Sequence, residues 1–132
     1  MSVPLPVVDI VDDNMDVLRG LGRVLSAHGY RVCMFTSGEQ YLSTVAEGKA
    51  ACVVIDIALR GSVSGLELAK AISSSPRPIP FVFVSASADE ALRDEALIMG
   101  CLAYLEEPIS SDMLISAVRR SSSTWGPVLP GR

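Results

Sequence analysis

The sequence is poor in charge and in aromatic rings: 20% of its 132 residues are charged, 5% are aromatic, and the formal net charge is -4. It has no basic cluster. Recognition of nucleic acid through a protein's own surface needs Lys and Arg gathered against phosphate, so direct nucleic-acid binding is not expected. The adjacent Arg119 and Arg120 read as a solvated helix end. Cysteine is scarce as well. Cys33, Cys52 and Cys101 are far apart, make no C-x-x-C pair and leave an odd number, which points to a reduced, cytoplasmic setting with Cys52 as a small core residue. No apolar run approaches the roughly 20 residues that span a bilayer, and no basic segment precedes the first apolar stretch. Neither membrane insertion nor export is indicated.

What the chain does have is hydrophobic content, 49% over 132 residues, enough for one well-packed domain and too short for two. Strand and helix patterns alternate along it. Val7 to Val11 is a near-continuous apolar run, as in a strand covered on both faces. Val17, Leu18, Leu21, Val24 and Leu25 recur at helical spacing up to Gly29. Arg31 to Phe35 reads as a second strand, and Thr36-Ser37-Gly38-Glu39 as a capping box opening a helix with Leu42 and Val45 inward.

Ala51 to Ile57 is the most uniformly apolar stretch and is expected to be central. Ser64-Gly65-Leu66-Glu67 repeats the capping-box signature before Leu68, Ala69 and Ile72, and Pro76, Pro78 and Pro80 keep the next connection extended. Phe81 to Val84, ending at Ser85, is a fourth strand and Leu102 to Leu105 a fifth. Asp89 to Met99 and Ser111 to Arg120 are the last helices, and residues 121–132 look like a tail or a linker stub. Such alternation implies right-handed crossovers and an α/β three-layer sandwich with a five-stranded parallel sheet. The flavodoxin-like order 2-1-3-4-5 is the economical choice, because it makes the first and third strands neighbours with a ligand crevice at their carboxyl ends.

Three acids lie at those ends: Asp12 and Asp13 after the first strand and Asp56 after the third. Taken singly, each is as readily a strand-end or N-cap residue. Three carboxylates at one edge repel one another unless some are protonated or a cation is bound. Oxygen donors in a partly open site favour Mg²⁺. A carboxylate beside that ion can attack phosphorus to give an acyl phosphate, and Asp56, the single acid on the central strand, is the candidate nucleophile. A flavin carrier of flavodoxin type would want a Ser/Thr/Gly-rich phosphate loop where this chain has Asp12-Asp13-Asn14. A metal-dependent phosphatase would place its nucleophile in that first loop and a basic residue near phosphate.

The acidic pair Asp12-Asp13, Asp56, Ser85-Ala86, Tyr104 and Pro108, in that order and spacing, make residues 7–120 resemble the receiver domain of two-component response regulators. The resemblance implies a receiver domain over residues 1–120 that accepts a phosphoryl group on Asp56 from a histidine kinase or phosphotransfer protein. It also implies Mg²⁺ held by Asp13, Asp56 and the carbonyl of Ala58, with Asp12 acting mainly through water. Ser85 would donate its hydroxyl to the phosphoryl group, and Tyr104 would turn inward as the switch. Such a domain is a phosphoacceptor and not an enzyme. It acts on a downstream effector domain or protein, and the family allows homodimers through the fourth and fifth helices.

The chain departs from the family pattern at three places. Receivers carry a lysine directly before the proline; this chain has Glu107, with a cis bond to Pro108 expected. A glutamate there turns an attraction for phosphoryl oxygens into a repulsion, which favours an alternative reading as a phosphate-independent pseudo-receiver serving as an interaction module. The loop Ile57 to Gly65 is one residue longer than the common form and lacks its Met-Pro, though Gly65 to Leu68 matches the continuation in longer-loop receivers. Within it, Arg60 is either a solvent-facing arginine or a substitute cation. The third departure, Ser85 for the commoner threonine, keeps the hydroxyl.

Overall fold

A computed structural model describes residues 5–44 and 49–125. The strands are β1 (Val7–Val11), β2 (Arg31–Phe35), β3 (Cys52–Asp56), β4 (Phe81–Ser85) and β5 (Ala103–Glu106). Between and after them come α1 (Met15–Ala27), α2 (Gly38–Leu42), α3 (Gly65–Ser73), α4 (Glu90–Ile98) and α5 (Ser111–Trp125). All strands are parallel, in the order β2-β1-β3-β4-β5. This is the flavodoxin-like α/β sandwich that the alternation of patterns predicts, with β1 and β3 side by side.

Period-two alternation divides the core into two layers. Val8, Ile10, Val54, Val82 and Val84 pack against Leu18 and Leu25 of α1 and Leu114 and Val118 of α5. On the other face Val11, Val53, Ile55, Phe81 and Phe83 meet Tyr41 of α2, Leu68 and Ile72 of α3, and Ala96 of α4. Each fully buried aliphatic side chain contributes about 1.5–3 kcal/mol of transfer free energy, so the sheet's position between the helices is strongly fixed.

Local chemistry sets the helix ends. Asn14 Oδ1 accepts from the N–H groups of Asp16 (2.9 Å) and Val17 (3.3 Å), so α1 starts directly after the acidic pair. Gly29 lies beyond the far end with φ 90°, a left-handed conformation that disfavours side chains. The Ser64–Glu67 capping box is present as expected.

The capping box expected at Thr36–Glu39 does not form at the start of α2. Ser37 is the N-cap, accepting from Gln40 N–H, and the Gln40 side chain reaches back to Thr36 N–H. Glu39, freed from capping, accepts instead from Val63 N–H at 3.2 Å. In α2 Tyr41 is the buried residue, Leu42 is partly buried, and Val45 lies outside the described residues. Helix α5 continues five residues past Arg120, where a solvated helix end is expected, and Arg120 Nη1 donates to the Leu102 carbonyl at 2.7 Å. Among the described residues no helix is long and apolar enough to cross a membrane.

Candidate functional site

Parallel pairing of β1 with β3 sets Val11 beside Ile55, so the residues that follow each strand emerge together at the carboxyl edge. Asp12, Asp13 and Asp56 each offer a carboxylate oxygen, and these oxygens lie within 4.8 Å of one another. They line a cavity of about 670 Å³ together with Asn14, Ala58, Arg60, Ser85 and Glu107. Asp12 is buried, Asp56 half-buried and Asp13 exposed.

Charge is unevenly shared in this cluster. Burial, opposed by the Asn14 N–H that donates to Asp12 Oδ1 at 2.8 Å and reinforced by the charges of Asp56 and Asp13, pushes the Asp12 carboxyl up to about 7. Asp56 is also raised, mainly by burial, while the Ala58 N–H on its Oδ1 (2.9 Å) holds it down and Asp13 and Glu107 push it up. The interaction between these two side chains raises Asp12 and lowers Asp56. Removing water from closely spaced like charges raises carboxyls in general. Three convergent hard oxygen donors in a hollow open on one side fit a Mg²⁺ ion, which keeps several waters and needs few carboxylates.

The other predicted site residues are distributed around the hollow. Ser85, almost fully buried, lines it, but its hydroxyl donates to the Ser87 carbonyl (2.9 Å) and accepts from the Ser87 N–H (3.0 Å). Ala58 lies at the rim, and its N–H steadies Asp56. Glu107 is exposed on the opposite wall, held there by its N–H on the Ser85 carbonyl (2.8 Å) and followed by a cis bond to Pro108. Tyr104 is not part of the lining. It sits beside Phe83 across β4 and β5, half-buried, with its hydroxyl enclosed and without a hydrogen-bond partner among the described residues.

Sequence reasoning missed the parts that hold this edge still. Gly65, at the first turn of α3, approaches the Asp56 carbonyl so closely that a Cβ would collide with it. Asp9, inside the apolar run of β1, receives the Tyr41 hydroxyl at 2.8 Å. Arg60, reached from sequence only as one of two readings, stands on the cavity wall with its Nε 3.6 Å from Asp13 Oδ2.

Comparison with known proteins gives a consistent assignment. A family profile described as "Response regulator receiver domain" matches residues 8–119. The chain is 31% identical over 121 residues to the transcriptional regulatory protein FixJ of Azorhizobium caulinodans, covering 92% of this chain and 56% of that protein. It is 27% identical over 113 residues to the response regulator protein TmoT of Ectopseudomonas mendocina, covering 86% of this chain and 51% of the relative. The chain thus spans about half the length of the curated relatives it matches. Among solved structures, a sensor protein from Polaromonas superposes with a TM-score of 0.83 at 28% identity over 93% of this chain and 100% of its own. The signal receiver domain of a modulated diguanylate cyclase from Desulfovibrio desulfuricans gives 0.83 at 25% identity, over 92% of this chain and 96% of its own.

Proposed function

The chain belongs to the response regulator receiver domain family, and from that membership we propose that it accepts a phosphoryl group on Asp56 and so switches a partner-binding surface. The donor is the phosphohistidine of a histidine kinase or phosphotransfer protein. The observation that carries this reading is the convergence of the Asp12, Asp13 and Asp56 oxygens within 4.8 Å at the mouth of one cavity.

The residues divide the work. The Asp12 side chain lowers Asp56 while being raised itself, which favours Asp56 as the anion, and the Ala58 N–H on its Oδ1 fixes the rotation of the carboxylate. An Asp56 carboxylate oxygen bonds to phosphorus as the P–N bond of the donor breaks; the imidazole keeps the electron pair and takes a proton from solvent. Mg²⁺, held by Asp13, Asp56 and the carbonyl of Ala58 with Asp12 acting through water, would neutralise charge on the phosphoryl oxygens. The Ser85 hydroxyl, to donate to the phosphoryl group, must let go of the Ser87 carbonyl. Tyr104, whose hydroxyl has no partner among the described residues, then has a reason to move as that loop shifts.

A second reading, a pseudo-receiver that binds its partner without aspartyl phosphate, is favoured by one observation: the cavity wall carries Glu107 where the family pattern carries a lysine. Incubation with Mg²⁺ and a small acyl-phosphate donor, followed by intact mass, decides between them. A labile phosphoryl adduct that is absent from Asp56→Asn supports the acceptor; no adduct at any donor concentration supports the pseudo-receiver. Downstream, we assign the output to an effector domain or partner protein, in keeping with relatives of which the match covers 56% and that bear the names of transcriptional regulators.

A further inference from the structure

Among the described residues the cavity is lined by four carboxylates, Asp12, Asp13, Asp56 and Glu107, and by one cationic side chain, Arg60. Neither of the chain's two lysines, Lys49 and Lys70, is among the lining residues. A phosphoryl group brings nearly two further negative charges, and a divalent ion offsets about that much. Asp13 and Glu107 then leave the site in need of another cation.

We infer that Arg60 is that cation, a catalytic residue that pairs with the phosphoryl oxygens once Mg²⁺ has taken Asp13 from it; this rests on the acceptor reading of Asp56. Its main chain is anchored on both sides. Leu59 is buried and its N–H donates to the Asp56 carbonyl at 3.2 Å; Gly61 turns with φ 113° against Glu39, whose Oε1 holds the Val63 N–H at 3.2 Å. The side chain, in contrast, is 90% exposed, with Asp13 as its ion-pair partner at 3.6 Å. A guanidinium on a fixed stem with an unconfined head can turn from a carboxylate to a neighbouring phosphoryl group, and its planar fork suits two oxygens at once. In the metal-free protein Arg60 partly neutralises Asp13, so ion and arginine compete for one carboxylate and cooperate on the phosphoryl group.

Two measurements on the whole chain test this. In calorimetric titration with Mg²⁺ and no donor, Arg60→Ala binds the ion at least as tightly as the wild type, because its competitor is gone. At saturating Mg²⁺, with a small acyl-phosphate donor and intact mass as readout, Arg60→Ala is labelled about 10- to 100-fold more slowly, below the range for loss of one enclosed charge-stabilising donor because this side chain is solvent-exposed, and Arg60→Lys falls between the two. Equal labelling of Arg60→Ala and wild type overturns the inference while leaving Asp56 as acceptor. Weaker Mg²⁺ binding in Arg60→Ala overturns it as well, since the arginine would then be shaping the metal site. No labelling of the wild type overturns the acceptor reading and this inference with it.

Discussion

Gly65 and the carbonyl of Asp56 are in such close approach that any Cβ on the glycine would overlap the oxygen and crowd the main chain of Ile57. This glycine does not have a positive φ, so the demand is for space and not for an unusual backbone. Alanine is intrinsically the better helix residue, which fixes the sign of the expectation: Gly65→Ala should destabilise despite its propensity, by about 1–3 kcal/mol as in other overpacked sites. Because the displaced group is the main chain of the proposed acceptor, labelling of Asp56 should slow in the same variant. Urea unfolding and intact-mass labelling check the two effects. A variant as stable and as reactive as wild type would show that α3 shifts freely.

Much of this arrangement can be read from residue order. The apolar runs of β1, β3 and β4 specify buried parallel strands, and Asn14, Ser64 and Asp89 sit where helices begin as N-caps. Convergence of Asp12, Asp13 and Asp56 follows from the strand order. Contacts between elements distant in sequence leave no such pattern. Glu39 braces Val63 across 24 residues, and Tyr41 meets Asp9 across 32. The capping box expected for α2 is not formed: Ser37 and not Thr36 is the N-cap, and Glu39 docks instead on the β3–α3 loop, a contact that residue order does not show.

The Asp9–Tyr41 contact gives a second expectation. Burial raises the Asp9 carboxyl above its ordinary range and the Tyr41 hydroxyl draws it back down. Tyr41→Phe removes that donor from a half-buried acid, at a cost of about 1–3 kcal/mol. The penalty depends on pH in a fixed direction. Without its donor the folded carboxyl rises further, so folding favours its protonated form more strongly, and the loss grows as pH increases through the folded value and shrinks under acid conditions. Chemical denaturation of both proteins at about pH 4 and pH 8 measures this; a penalty that is larger at the acid end would contradict the assignment.

The acidic cluster makes the metal-free protein sensitive to pH in the same sense. With Asp12 near 7 in the fold and near 3.8 in the unfolded chain, the folded state holds the extra proton between those values. Stability from the neutral carboxyl is therefore complete below the unfolded value and is lost as pH rises through about 7. The loss by about pH 8 is on the order of a few kcal/mol. In chelator, the melting temperature should fall between about pH 4 and 7, the window set by these two values, and level off above it. Saturating Mg²⁺ should flatten that decline, because a bound cation stabilises the ionised cluster instead. Parallel melting curves with chelator and with Mg²⁺ would show it, and superimposable pH profiles would mean that the ion does not bind here.

Glu107 faces the same cluster from across the cavity and is among the charges that raise Asp56. A unit charge about 4 Å from another is worth on the order of 4 kcal/mol at an effective dielectric of about 20. Glu107 is exposed, however, and solvent screening reduces this to about 0.2–1 kcal/mol, or up to roughly fivefold in rate. Glu107→Lys should accordingly accelerate labelling of Asp56 by a factor in that range and make the labelling rate less dependent on Arg60, since a second cation then faces the phosphoryl oxygens. The sign of the effect on Mg²⁺ is opposite: a lysine at the rim repels the ion, so half-saturation should move to higher Mg²⁺ while the rate at saturation rises. That divergence separates electrostatics at the phosphoryl group from a general loosening of the loop, which would move both quantities the same way. Labelling kinetics across a Mg²⁺ series, for Glu107→Lys and wild type side by side, read both at once. An unchanged rate at saturating Mg²⁺ would mean that Glu107 points away from the transferred group and that its charge has no bearing on the chemistry of Asp56.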